Sequence, residues 1–393
     1  MAGNARPPEE SLMTAPRSPS ARVRCLAAAF LCAVLCAGDL VAQEAGGARA
    51  EQEPSAADAA DADATLALGR RHTGQFYAGE SDALWEEVGP DMRAAFGGDP
   101  AVLVLFKDQV LEGFGSEAEV VSENVSSQPG SEVYLRTARF EQTDQLIELI
   151  ITYDEAGVII GFLIRPKPVE APSRFLDYQT KTPLRLPFEG PWLIFWGGRT
   201  LEQNYHTFTQ DQRFAYDILI MEDGSSHTGD GTRNDQYHAF GKPVVAPGPG
   251  RVVSAAKDVA DNVPGEMNPA QAMGNHVILD HGNGEFSFLA HFQQGTLQVE
   301  VGDEVKAGDL LGMCGNSGNT TEAHIHYHLQ TTPDFNAGEG LPAQFLGYEL
   351  VEQGEGPVRD EGTHGAKVTR VERGEPVQGQ VVRPGARAAP ARR

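Results

Sequence analysis

The chain has 393 residues, more than one average domain needs, so two folded parts with tails are the natural expectation. Its 55 acidic and 31 basic side chains give a formal charge of -24. That balance argues against nucleic acid, and against tight electrostatic binding to anionic membranes or anionic wall polymers.

In chain order, Arg17, Arg22 and Arg24 precede the apolar run "CLAAAFLCAVLCAG", which is short for a bilayer span and is followed by small residues. Residues 1–42 therefore read as an export signal cut after Ala42, with an uncleaved anchor as the alternative. The expected location is periplasmic or extracellular, with no stable membrane insertion once the signal is removed. Cys25, Cys32 and Cys36 lie inside that signal, leaving Cys314 alone in the mature chain and no internal disulfide.

Residues 43–63 are Ala-rich and acidic, with almost no large apolar side chains, and read as a disordered linker. A helical pattern follows, with Leu66, Leu68, Phe76, Leu84 and Trp85 available for an apolar face. "DPAVLVLFKDQVLEGFG" predicts a further helix, with Asp99 as N-cap and Pro100 in the first turn. The period then changes to two: "EAEVVSENVS", "EVYLRTARFE" and "LIELIITYDEAGVIIGFLIRP" predict strands joined at "QPGS" and "DEAG". Helices followed by an antiparallel sheet give an α+β accessory domain over 64–168. The order resembles nuclear-transport-factor-2-like domains, with a cone of helices on a sheet. His72, with no acidic residue three or four positions on, is expected to be an ordinary half-exposed side chain.

Five prolines between Lys167 and Pro191 make 169–191 an expected extended connection. Residues 192–350 are strand-rich and glycine-rich, and Asn283-Gly284 marks a hairpin. Residues 351–393 have few large apolar residues and read as a loose tail, although "VTRVERGEPV" is suited to lie against a domain edge.

The chemistry concentrates in "EAHIHYHL", which sets His324, His326 and His328 on alternate residues. In a strand these share one face. Such a pair suits metal binding, or one ligand beside one catalytic group; the bland alternative is a surface ladder. Ahead of it run "GKPVVAPGPGRVV", "GNHVILDHGNGEFSFLAHF" and "VEVGDEVKAGDLLGMCGNSGNTTEAHIHYHL". From about His206 to Gln330 this block resembles the lysostaphin-type, or LytM-type, zinc endopeptidases, which cut peptide cross-links of peptidoglycan.

The resemblance implies one zinc ion per chain, held by a His and an Asp of an H-x-x-x-D element and by the second His of H-x-H. The matching residues are Asp217 and His326. Arg213 stands four residues before Asp217, so the expected His is absent at that spacing. His206 is the preferred substitute, with His238 and His227 as competitors. Two imidazoles, one carboxylate and an open position for water make a catalytic zinc site, in which the metal brings the water's pKa to about 7. The resemblance also assigns catalytic roles to His324, as base, and to His291 in "FLAHF", as stabiliser. His328, where an acidic residue often follows in this family, is read as a pocket wall residue, with a supporting or extra-ligand role as alternatives. His276 and His281 read as surface or turn residues, and Asn204 as a residue able to touch substrate backbone.

Three rivals compete. A catalytically inactive peptidoglycan-binding or hydrolase-activator module would use the same scaffold. A lipoyl-type carrier fits "VEVGDEVKAGDLLG" but lacks the turn lysine. A thiol hydrolase would need Cys314, which reads better as a buried core residue. The sequence thus predicts a multi-domain exported protein: an α+β domain, then a mostly antiparallel β zinc metallo-endopeptidase domain acting on peptidoglycan peptides. It sets no oligomeric state.

Overall fold

The computed structural model describes residues 56–128, 130–351 and 367–385. The expected export signal at 1–42, the first part of the expected linker, and residues 352–366 and 386–393 of the expected tail lie outside the described residues. The described residues form two compact units that part between Lys167 and Pro168.

The first unit opens with helix α1 (Ala56–Ala78). It starts eight residues before the expected boundary at 64, so the segment 56–63 is helical rather than linker. Alanine is the best helix former, and the acidic side chains interleaved with it do not interrupt the backbone ladder. Thr65, Gly69, His72 and Phe76 are buried at helical spacing. Gly69 is needed there: a Cβ would lie 2.2 Å from the Tyr134 ring, so its absence lets the helix sit directly on the sheet. Short helices α2 (Ser81–Glu86) and α3 (Pro90–Ala95) follow. In α4 (Ala101–Phe114) the Asp99 carboxylate accepts from the Ala101 amide at 2.9 Å.

Strands β1 (Glu117–Gln128), β2 (Ser131–Phe140), β3 (Thr143–Asp154) and β4 (Ile159–Pro166) form an antiparallel meander in sequence order. The β3–β4 turn is set by Asp154, whose carboxylate accepts from the amides of Ala156 and Val158, and by Gly157 at φ 79°. The core joins Phe76, Tyr134, Ile151 and Ile164. His72 is not half-exposed: it is fully buried, with Nδ1 2.9 Å from the Tyr153 hydroxyl and Nε2 3.1 Å from Glu87. Its acidic partner lies 15 residues away, on the turn after α2, and so escaped a search confined to one helix.

The second unit is mostly antiparallel sheet. Its strands are β5 (Trp192–Trp196), β6 (Tyr216–Leu219), β7 (Pro243–Val245), β8 (Gly250–Ala256), β9 (Asn275–Asp280), β10 (Phe286–Phe292), β11 (Glu304–Val305), β12 (Leu310–Met313), β13 (Ile325–Gln330), β14 (Gly340–Leu341), β15 (Phe345–Val351), β16 (Val368–Gly374) and β17 (Val381–Pro384). The main sheet runs β11-β8-β9-β10-β13-β6-β5-β17-β15-β16, with β14 on β13, while β7 and β12 pair separately. Asn283 and Gly284, at φ 58° and 74°, turn the β9–β10 hairpin.

A segment expected to be only an extended connection, and part of the expected loose tail, join this unit. In the proline-bearing connection, Leu184, Leu186 and Phe188 alternate and are all buried in the main cluster. The prolines keep that strap extended while its alternate side chains enter the core. Its start is fastened by buried Glu285, which accepts from Tyr178, from the amides of Lys181 and Thr182, and from the Thr182 hydroxyl. In the expected tail, β16 pairs with β15, and β17 lies between β15 and β5 with Val382 fully buried. A strand inserted between two others needs few large apolar residues, because the ladder supplies its backbone partners.

Candidate metal centre

The site begins with strand register. β13 and β6 are antiparallel neighbours, and His326 stands directly opposite Asp217. Cross-strand partners on one face lie within side-chain reach, and here His326 Nδ1 is 2.9 Å from Asp217 Oδ1. On the other side β10 runs beside β13, with Ala290 opposite His326. The β9–β10 ladder breaks between Leu289 and Phe292, where His291 adopts φ 67°. A non-glycine residue in that region is uncommon, and bulges beside functional sites redirect side chains. The His291 ring comes within 4.8 Å of the His324 ring and 5.9 Å of the His326 ring, centroid to centroid.

His206 arrives from a one-turn 3-10 helix, Tyr205–Phe208. Asn204 caps that turn. Its amide nitrogen donates to the carbonyls of Gly198 and Ala215, so its Oδ1 is the acceptor for His206 Nδ1–H at 2.8 Å. The bare His206 Nε2 then faces Asp217 Oδ2 at 3.5 Å. Asn204 is fully buried and holds a ring; it is not a residue that touches substrate. Arg213 occupies the position four before Asp217 and anchors the same turn. Its guanidinium donates to the Thr207 carbonyl at 3.1 Å and to Glu170 at 2.9 Å, and the Ala171 amide also donates to Thr207 O.

His206, Asp217 and His326 are all buried, and one ligand atom from each lies within 4.8 Å of the others. His227 and His238 stay outside this trio. His238 lies 3.7 Å from Glu222, and His227 packs on Tyr237. His324 and His291 border the trio. His324 donates from Nδ1 to the Glu322 carbonyl at 3.0 Å and turns Nε2 to Asp217 Oδ1 at 3.5 Å. His291 donates from Nδ1 to the Ser317 carbonyl at 2.8 Å, which leaves its Nε2 bare. Tyr205, whose relevance only its neighbour His206 could signal, packs tilted against that ring with centroids 4.0 Å apart and donates to Asp217 Oδ2 at 3.3 Å.

The protonation pattern suits a cation. Burial pushes His206 down to about 3 against the pull of Asp217, so its ring is neutral. Burial works to raise Asp217, but the imidazoles of His206 and His324 outweigh it and hold the carboxyl well below its usual range. Burial, with the His324 and His326 rings, keeps His291 far below the ordinary imidazole value. For His324 burial is overcome by Asp217 and the Glu322 carbonyl, and its pKa is raised. Two imidazoles and a carboxylate are the donor set of a catalytic zinc site. The residues therefore fit that ion.

His328 is not a pocket wall. It is 1% exposed, stacked on Phe288 at 4.5 Å, with Nδ1 3.0 Å from His326 Nε2. His276 and His281 are partly buried and pair with Ser254 and with Pro249 and Ser287 respectively, away from the trio. Cys314 is buried, and burial raises its thiol far above its usual range, which leaves no reactive thiolate.

Residues 234–337 match peptidase family M23. A stretch of 56 residues is 36% identical to the peptidoglycan DD-endopeptidase ShyA of Vibrio cholerae, covering 14% of this chain and 13% of that one. Over 110 residues the chain is 28% identical to an uncharacterized metalloprotease of Buchnera aphidicola, covering 28% and 24%. The chain thus spans no more than about a quarter of the length of these curated relatives. Among solved structures, a mutant catalytic domain of the prophage-encoded M23 protein EnpA from Enterococcus faecalis is similar, with 20% identity over 40% of this chain and 94% of that one at a TM-score of 0.26. The family match includes His291, His324 and His326 but begins after His206 and Asp217, so these two members of the trio rest on geometry alone.

Proposed function

We propose that this protein is an exported, zinc-dependent metallo-endopeptidase that hydrolyses peptide cross-links of peptidoglycan. One observation carries the reading: an M23 domain whose H-x-H strand meets a buried His and Asp, with two further imidazoles at the rim. His206 through Nε2, His326 through Nδ1 and the Asp217 carboxylate would hold the ion. Zinc bound there supplies a Lewis acid that polarises a carbonyl and acidifies water.

The chain's own residues divide the remaining work. His324 turns Nε2 toward the trio, and the His291 ring lies beside the His324 and His326 rings. His291, held neutral by burial, accepts a hydrogen bond from the attacking water and orients it. His324, the ring that most readily holds a proton, accepts that proton at Nε2 and returns it to the departing amide nitrogen. Because His291 is committed to Ser317 through Nδ1–H, it has no proton to give an oxyanion. Tyr205 is the hydroxyl donor beside the trio. An intact ligand set favours this reading over an inactive module on the same scaffold.

The first unit is read as the accessory domain of a nuclear-transport-factor-2-like kind, from its helices followed by a four-stranded meander. The basic and apolar pattern of residues 1–42 supports export, and no helix among the described residues is long and apolar enough to cross a membrane. Digestion of purified peptidoglycan, with product identification, tests the activity. The expected result is new amino termini that disappear with chelator and return with zinc. Zinc-loaded protein that releases no peptide products would place it with the inactive modules.

A further inference from the structure

Two buried polar atoms on β13 lack partners: His328 Nε2 and Gln330 Oε1. They belong to residues at i and i+2, on the face that carries His326. The Gln330 amide is oriented without ambiguity. Its Nε2 donates to the carbonyls of Thr332 at 2.7 Å and Asp334 at 2.9 Å, so Oε1 is left as an acceptor in the interior. Gln330 is fully buried.

Two proton arrangements are open to this row. In one, His326 Nδ1–H donates to Asp217, His326 Nε2 accepts from His328 Nδ1–H, and His328 Nε2 is a bare lone pair on the side of an acceptor oxygen. Two buried acceptors then go unsatisfied, which is costly. In the other, His326 Nε2–H donates to His328 Nδ1, and His328 Nε2–H becomes a donor beside the unpartnered acceptor Gln330 Oε1, next along the same strand face, although the two are not hydrogen-bonded in this structure. Donor and acceptor then match along the row. His326 Nδ1 is left bare against the Asp217 carboxylate, an arrangement that only a cation between them relieves.

We propose that His328 and Gln330 are positioning residues that hold His326 in the tautomer whose bare Nδ1 faces Asp217 and His206. The inference rests on the reading of His326 as a metal ligand, and extends it to the residues that make the ring a ligand. It parallels what Asn204 does for His206, with the opposite ring nitrogen exposed. Such outer partners fix ring orientation, and their loss typically costs about 10- to 100-fold in metal affinity.

The test uses the full chain and zinc alone. Long-range 1H–15N NMR of the zinc-loaded protein is expected to show His328 as the Nε2–H tautomer and His326 protonated at Nε2. His328→Phe keeps a ring stacked on Phe288 but removes the acceptor, and is expected to weaken zinc binding about 10- to 100-fold in a chelator competition. His328→Asn restores an acceptor near the Nδ1 position and should recover most of that loss. Gln330→Leu should cost about tenfold. Zinc affinity unchanged in His328→Phe, or an Nδ1–H tautomer of His328 in the zinc form, overturns the proposal; if His328→Phe does not fold, the tautomer alone decides. His326→Ala separates the two levels: if it binds zinc like the unaltered chain, the metal reading itself fails. If it loses zinc while His328→Phe does not, only the relay fails.

Discussion

Replacing Arg213 with Met would remove a guanidinium that stands where the family spacing expects a ligand, while keeping most of its apolar stem. Arg213 is buried, yet its Nε has no partner, so its burial is imperfectly compensated. Glu170, its ionic partner, is 39% exposed and can return to water. Thr207 O keeps its bond from the Ala171 amide at 2.7 Å. The loss is therefore chiefly one charge-assisted hydrogen bond, worth about 1.5–3 kcal/mol, partly offset by relief of guanidinium desolvation. Net stability should fall by about 1 kcal/mol or less. The lost bond, however, fixes the carbonyl next to His206. If about 1.4 kcal/mol of it serves to hold the turn in the metal-competent geometry, zinc affinity should drop about tenfold. Competition with a chromophoric chelator measures that drop, and calorimetry of the metal-free chain measures the stability. Undiminished zinc affinity would refute the anchoring role, and a stability loss of about 4 kcal/mol or more would make Arg213 a core element instead.

Other outcomes follow from the same geometry. His324→Ala should retain a full complement of zinc while turnover falls by about 10²- to 10⁴-fold, because it removes a proton acceptor and no ligand; metal analysis beside a peptide-release assay separates the two. Burial lowers the His72 pKa below its unfolded value of 6.5 against the pull of Glu87. Above that pH neither state binds the proton; as pH falls through 6.5 only the unfolded chain takes it, so stability declines, by at most about 1.4 kcal/mol per pH unit from this group. The fall in unfolding midpoint between pH 7.5 and 5 should be smaller in His72→Gln, and an equal fall would remove His72 from the account. Alkylating reagent should leave Cys314 and the activity untouched in the folded protein, with full labelling after denaturation; mass spectrometry reads both.

What the sequence made legible followed from periodicity. Alternation in "EAHIHYHL" put its histidines on one strand face, and the Asn283-Gly284 turn ended the β9–β10 hairpin. His206 could be named but not placed, because a ten-residue loop carries no register until Asn204 and Arg213 tie it down. The role of His328 was hidden for a related reason: alternation says which face a ring shares, not whether that face is covered, and Phe288 covers it. The strap at 184–188 reads in sequence only as an extended connection, and β17 as loose tail, since prolines and low apolar content mark disorder only where no sheet edge awaits the segment; β16 does lie against a domain edge, as "VTRVERGEPV" suggests. His72 shows the limit of local searches, its partners Glu87 and Tyr153 being brought to it by tertiary packing.

The most direct test of the central claim is anomalous diffraction at the zinc edge from crystals of the zinc-loaded full chain. A single peak bonded to His206 Nε2, Asp217 and His326 Nδ1, at about 2.0–2.2 Å from each, is the predicted result. A trio without a peak, or a peak on His238 and Glu222 in its place, would contradict it.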